Sequence, residues 1–168
     1  MKLYTVFLGL GSNLGEREKC LNQAVGHLKK LRASSLVWAS SVYETDPYGK
    51  VDQPKFLNAA VQIETSLEPS ELFEEIKKIE ATAGRSRNER WGPREIDIDI
   101  LIYDGLVFES DSVKVPHPEI EKRKFVLVPL REIAPDLVHP VTGLNVEEMA
   151  AQCQDSGRVV KSLYRIVI

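Results

Sequence analysis

Cysteine is scarce in this chain, and what there is cannot staple or hold a metal. The 168 residues contain two, Cys20 and Cys153, far apart, with no C-x-x-C pair and no histidine at ligand spacing, so neither a disulfide framework nor a zinc site is expected. Both are expected as buried thiols in helical surroundings. Long apolar runs are also missing: none approaches the ~20 residues needed to cross a bilayer, which argues against a membrane role. Residues 2 to 10 are too short for a secretory segment and run into Gly11-Ser12-Asn13 without a small-residue cleavage pattern, so a cytoplasmic location is expected. Basic excess is absent too. A net charge of −3 and a pI near 5.7 give no general attraction to nucleic acid. With no repeat, low-complexity tract or linker, residues 1–168 are expected to form one domain, large enough to bury a core unaided, acting as a monomer.

What the chain does have is a strand, Ile96 to Tyr103, that carries Asp97 and Asp99 directly after a stretch containing Arg85, Arg87, Arg90 and Arg94. Strand side chains alternate faces, so the two acids point the same way with Cα atoms about 7 Å apart, while the isoleucines fill the other face. Carboxylates that close repel unless a hard cation sits between them. Magnesium is the usual choice when a few carboxylates share it with substrate phosphates, and guanidiniums then hold the anion that the metal bridges. The plainer alternative is an edge strand with acids facing solvent beside a solvated arginine turn. The Trp91-Gly92-Pro93 turn and the flanking isoleucines favour polyphosphate chemistry.

Hydrophobic period and punctuation predict a strand at 3–10, then a helix at 16–32 with Leu21, Ala24, Leu28 and Leu31 on one face. A strand at 36–43 follows, and a polar segment at 44–54 is too long for a simple turn and reads as a binding loop. Next come a strand at 56–64 and a helix at 70–83, begun at Pro69 and stopped by Gly84. Asp104-Gly105 signals a hairpin that returns the chain through Leu106-Val107-Phe108 and continues the sheet. A helix within 118–132, another at 146–152 begun by Asn145 and Glu148, and a strand-like 159–168 complete the order. The expected class is α+β: a ferredoxin-like α/β/α sandwich with a mixed or antiparallel sheet.

Three smaller patterns bear on function. Gly9-Leu10-Gly11-Ser12-Asn13-Leu14-Gly15 lies between a strand and a helix, where phosphate loops belong, yet it lacks the Lys-Ser/Thr ending of a P-loop and has Leu14 where a dinucleotide fingerprint needs glycine. Its glycines are expected to serve a tight turn or a lid. Phe56 and Asn58 share a strand face, and an aromatic beside an amide can stack and hydrogen-bond a flat heterocycle; a core aromatic is the alternative. His117, between Pro116 and Pro118, is rigidly presented, either to a site or merely to solvent.

Taken in order, Leu8 through Gly15, Asp52-Gln53-Pro54 with Phe56 through Ala60, Gly84-Arg85, Arg90 through Ile100, Val115-Pro116-His117-Pro118, Arg123, Phe125 and Pro129-Leu130 resemble the 6-hydroxymethyl-7,8-dihydropterin pyrophosphokinases, from about residue 3 to residue 140. The R-W-G-P-R-x-x-D-x-D run is the most specific part. The resemblance implies transfer of pyrophosphate from ATP to the pterin hydroxymethyl oxygen with release of AMP, in folate biosynthesis. It implies two Mg²⁺ ions on Asp97 and Asp99, and Arg85 and Arg94 stabilising charge on the phosphates. Glu80, Arg87, Arg94, Ile100, His117 and Arg123 then fall on the ATP side. Phe56 and Phe125 would sandwich the pterin, Asn58 would read its edge, Thr45 and Tyr48 would contact it, and Trp91 would close the site. Lys77 and Lys114 depart from the better-known members at nucleotide-proximal positions. The competing reading is a ferredoxin-like module that binds a nucleotide or small molecule without chemistry.

Overall fold

The computed structural model describes residues 1–83 and 95–168. In chain order the elements are β1 (Tyr4–Ser12), α1 (Arg17–Lys29), β2 (Ser34–Ala39), β3 (Tyr43–Thr45), β4 (Phe56–Thr65), α2 (Pro69–Thr82), β5 (Asp97–Tyr103), β6 (Phe108–Glu109), β7 (Lys114–Val115), a 3₁₀ turn (Ile120–Lys122), α3 (Lys124–Ile133), α4 (Val146–Gln152) and β8 (Val159–Lys161).

The main sheet runs β5-β1-β4-β3-β8, with β2 also on β4, and every described pairing is antiparallel rather than mixed. The ten residues of β4 are long enough to hold two short strands along one edge, β2 against Val61–Thr65 and β3 against Phe56–Asn58. Between them Ser40 keeps the ladder closed: its N–H donates to Ala60 O, and its hydroxyl accepts from Ala60 N–H, both at 2.9 Å. The strand expected at 36–43 is therefore two strands, and the binding loop begins only after Thr45.

Alternation along the strands, interrupted by a bulge where Phe7-Leu8 of β1 meets β5, makes the sandwich. Val6, Leu8 and Leu10 of β1 join Leu57, Val61 and Ile63 of β4 and Ile98 and Ile100 of β5 beneath Leu21, Ala24, Val25 and Leu28 of α1 and Leu72, Ile76 and Ile79 of α2. On the opposite face Phe7, Ala60 and Leu101 pack against Val126, Leu127 and Leu130 of α3 and Val146 and Met149 of α4. Burying one such aliphatic side chain is worth about 1.5–3 kcal/mol, so the two layers hold the sheet between them. This is the ferredoxin-like α/β/α arrangement expected. Helix α2 is begun by a capping box in which Glu71 accepts from Glu68 N–H at 2.9 Å, with Pro69 opening the first turn.

Three local expectations fail. Asp104-Gly105 does turn the chain, with Asp104 at φ 51° and Leu106 N–H bonded to Tyr103 O at 3.0 Å. The returning segment does not pair with β5, however; it forms a separate ribbon, β6 with β7. The outer edge of β5 is already occupied: Ile98 N–H donates to the Glu80 carboxylate and Leu101 O accepts from His117 N–H, both at 2.8 Å. Second, the C-terminal strand is only Val159–Lys161, and beyond it the chain lies over α1, where Asn22 bonds both Arg165 O (3.0 Å) and Val167 N–H (2.9 Å). Third, Cys20 and Cys153 are half-buried free thiols rather than core residues, one in the first turns of α1 and the other just past α4.

Candidate active site

A cavity of about 610 Å³ opens over the face of the sheet that carries α3. Its floor follows from register. Asp97 lies opposite Gly11, and Gly11 opposite Asn58; one row along, Asp99 lies opposite Gly9, and Gly9 opposite Ala60. The central strand thus presents no side chain between the acids and the amide. A methyl group at Gly11 would stand 2.8 Å from Asn58 Nδ2 and 3.6 Å from the Phe56 ring. The two glycines expected in a turn or lid therefore lie within β1 and clear the floor; among the residues of that run, Gly15, at φ +71°, is the one in a left-handed turn.

The amide of Asn58 is fixed before any ligand arrives. Its Oδ1 accepts from the Thr45 hydroxyl at 2.6 Å and its Nδ2 donates to Leu10 O at 3.3 Å, in a buried setting. Around it stand Phe56, Thr45, Asp46 and Tyr48 on one side and Arg123 and Phe125 on the other. The Tyr48 and Phe125 rings are 5.8 Å apart between centroids, and the Arg123 guanidinium lies 5.7 Å from the first and 5.8 Å from the second. Arg123 also reaches Asp99, Nη1 to Oδ2 at 3.7 Å, and so links the aromatic half of the cavity to the acidic half.

The acidic half is electrostatically strained. Burial, then the negative charge of Asp97, pushes the Asp99 carboxyl up to about 7, against the opposing pull of Arg123. His117 is shifted the other way: burial first, and then the Arg123 charge, lower it to about 4, so its imidazole is neutral at ordinary pH. Its Nδ1 accepts from Glu119 N–H at 3.1 Å, which leaves the proton on Nε2 as a donor. The bond from His117 N–H to Leu101 O ties this rigid Pro-His-Pro segment to the same strand that carries the acids.

The expected site residues divide clearly. Thr45, Tyr48, Phe56, Asn58, Asp97, Asp99, His117, Arg123 and Phe125 all line one cavity, together with Lys77. Glu80 does not. Its carboxylate is buried under β5, accepting from Ile98 N–H (2.8 Å) and from Lys77 Nζ (2.9 Å), so it holds the strand segment between the two aspartates and holds Lys77 at the cavity wall. Ile100, which the resemblance sets beside the nucleotide through its backbone, turns its side chain the other way, into the main core, and Lys114 sits apart on β7, 3.9 Å from Glu109. Arg85, Arg87, Arg90, Trp91 and Arg94 lie outside the described residues. The contribution that sequence reasoning missed is the glycine pair; the available signal was that glycines two apart in a strand and acids two apart in another each mark a single face.

Residues 7–135 match the family model of 7,8-dihydro-6-hydroxymethylpterin-pyrophosphokinase. The chain belongs to this family. A pyrophosphokinase of that family from Methylorubrum extorquens, named 2-amino-4-hydroxy-6-hydroxymethyldihydropteridine pyrophosphokinase, is 48% identical over 151 residues, covering 90% of this chain and 94% of its own. An equally named pyrophosphokinase from Bacillus subtilis is 45% identical over 142 residues, 84% of this chain and 85% of its own. Among solved structures, the wild-type HPPK-DHPS of Plasmodium falciparum with pteroate superposes with a TM-score of 0.73 at 15% identity, over 90% of this chain. This chain spans 44% of that longer protein, and the likeness shows a shared fold.

Proposed function

We propose that the chain transfers pyrophosphate from ATP to the hydroxymethyl oxygen of 6-hydroxymethyl-7,8-dihydropterin, releasing AMP, as a monomeric, cytoplasmic, single-domain enzyme of folate biosynthesis. One observation carries this reading: a paired carboxylate and an aromatic-amide slot share one glycine-cleared face of the sheet, inside a single cavity. The first suits a nucleotide polyphosphate and the second a flat, hydrogen-bonding heterocycle.

In the transfer the hydroxymethyl oxygen attacks the β-phosphorus, the bond from that phosphorus to the α–β bridging oxygen breaks, and AMP carries the oxygen away while the hydroxyl proton is lost. Asn58, held by Thr45 and Leu10 O, reads the pterin edge with an amide that needs no reordering. Phe56 and Phe125 flank the ring. His117, with its Nε2 proton, and Arg123 donate to phosphate oxygens without a proton changing hands. Lys77, positioned by Glu80, adds a cation at the wall. Arg85 and Arg94 are assigned to the transition-state charge, Arg87 to ATP and Trp91 to closure of the site, on the family resemblance.

The aspartates fit magnesium. Two hard oxygen donors stand on one face, the Asp99 carboxyl raised to about 7 by burial and then by its neighbour; a divalent cation would relieve them, and among the described residues no third His, Cys, Asp or Glu joins them. That donor set matches Mg²⁺, which takes one or two carboxylates and fills its remaining positions with water and phosphate oxygens. Asp97 and Asp99 would hold the two ions that the resemblance implies, which would supply neutralisation of the phosphate charge.

The reading is tested by incubating the protein with ATP, Mg²⁺ and the pterin and identifying the nucleotide released. AMP formed only when pterin is present is expected. ADP would mean γ-phosphoryl transfer and overturn the mechanism, and ATP binding without turnover would leave a non-catalytic binding module. Within this reading, Phe125→Ala should raise the pterin KM by about 10- to 100-fold and the ATP KM by no more than about threefold, since covering the half-buried Phe125 ring with a stacked heterocycle is worth ~1.5–3 kcal/mol. Equal effects on both substrates would remove Phe125 from the pterin slot.

A further inference from the structure

We propose that Asp155–Arg158 is a strap that fixes the spacing of the two walls of the aromatic slot, with Asp155 a positioning residue for Arg123 and Phe125. The inference rests on the reading of that slot as the pterin site. Helix α3 begins without a cap of its own: its N-cap residue, Arg123, makes no side-chain capping bond. The N–H of Lys124 donates instead to Asp155 Oδ2 at 3.1 Å, a carboxylate 31 residues further along the chain. A helix start carries partial positive charge and unpaired N–H groups, which makes a carboxylate the favoured acceptor there. Lys124 stands between Arg123 and Phe125, so the point at which this bond anchors the helix is also the point from which both cavity side chains leave it.

The other end of the strap holds the facing wall. Asp46 lines the cavity, accepts from Arg158 N–H at 3.0 Å through Oδ2, and donates its own N–H to Arg158 O at 3.0 Å. The pairing then continues into the sheet, with Val159 opposite Thr45, the residue that orients Asn58. Between the anchors the strap is folded on itself, Gly157 N–H donating to Asp155 Oδ1 at 2.9 Å. There is little slack. A methyl at Gly157 would stand 3.1 Å from Asp155 Oδ1 and 3.9 Å from Asp46 Cβ. Asp155 therefore joins α3 to the loop after β3 by a short chain of hydrogen bonds, and the rings that face each other across this joint, Tyr48 and Phe125, sit 5.8 Å apart. The strap lies beyond residue 135, where the family match stops.

Asp155→Ala should raise the pterin KM about five- to tenfold, the scale of a lost helix-start acceptor, with kcat and the ATP KM within about twofold of wild type. Asp155→Asn keeps one of the two acceptor oxygens, enough for the Lys124 N–H once the Gly157 bond is given up, and should bring the pterin KM back to within about threefold of wild type. A pterin KM unchanged in Asp155→Ala, or equal rises for both substrates that Asn does not reverse, would overturn the strap while leaving the pyrophosphokinase reading intact. Amide exchange at Lys124 and Phe125, followed in the ligand-free protein, is independent of turnover. Exchange about tenfold faster in Asp155→Ala and restored in Asp155→Asn supports the strap even if the wild-type protein releases no AMP; unaltered exchange overturns it.

Discussion

Asp99→Asn is expected to lower kcat by about 10³-fold or more, the scale at which a site loses its principal electrostatic stabilisation of a phosphoryl group, and yet to make the ligand-free protein more stable at pH 8. The two effects share a cause. In the folded protein the Asp99 carboxyl is pushed up to about 7, first by burial and then by Asp97, while an unfolded chain returns it to its ordinary value near 3.8. The folded state therefore binds the proton more tightly, so this group's contribution to stability is fully present below about pH 4 and is lost as pH rises through about 7. A shift of this size corresponds to ~4 kcal/mol in full, but the side chain is 31% exposed to the cavity and Arg123 stands 3.7 Å away, so about 1–2 kcal/mol is the better expectation. Asparagine removes the buried charge at the same size. The ligand-free variant should melt about 3–6 °C higher than wild type at pH 8 in the presence of a chelator, with the difference shrinking toward pH 5. Mg²⁺ with ATP should then stabilise the wild type and not the variant. A variant that melts lower at pH 8 would show that Asp99 is not strained in the free protein, and one that keeps near-normal turnover would show that it is not used in the transfer.

Gly11→Ala should damage pterin binding more than any other single methyl added to the sheet. The new carbon would stand 2.8 Å from Asn58 Nδ2, closer than side chains pack, so the amide must move, and with it the bonds to Thr45 and Leu10 O. Losing two well-placed hydrogen bonds to the pterin edge is worth ~2–3 kcal/mol, or about 30- to 100-fold in the pterin KM or Kd. The ATP KM should change by less than about threefold, because the three atoms nearest the new methyl belong to Asn58 and Phe56, on the pterin side, and not to Asp97 across from Gly11. Gly9→Ala supplies the control: its methyl would meet the Leu101 side chain at 3.5 Å, an ordinary contact, and should alter either KM by no more than about threefold. Indistinguishable behaviour of the two variants would mean that the floor is not cleared for a ligand.

The same two positions show where local reading runs out. That Asp97 and Asp99 share a face was legible because a strand has a period of two, and the alternation holds whatever the partners are. That Gly9 and Gly11 lie across from them was not legible, since it depends on the register of β1 with β5, set by contacts some 90 residues apart in the chain. Glu80 illustrates a different limit. Resemblance placed it beside ATP, whereas its buried carboxylate pins Ile98 N–H on the outer edge of the strand that carries the acids. The Asp104-Gly105 signal was correct as turn chemistry and wrong as a pairing, because a turn fixes only where the chain reverses, and the edge it would have joined is taken by Glu80 and by the backbone of His117.

Sequence by itself determined the family, the α+β class, the order of the main helices and strands, and the residue types the chemistry needs. Each of these is written in local period, in turn chemistry or in a motif that survives without its surroundings. Tertiary structure alone decided which of those residues share a cavity, that its floor is bare between acids and amide, that Glu80 supports rather than lines it, and that Asp155 reaches back to begin α3. Those outcomes depend on strand register and on helices packing across the sheet, contacts between distant parts of the chain that exist only once the apolar faces have been buried together.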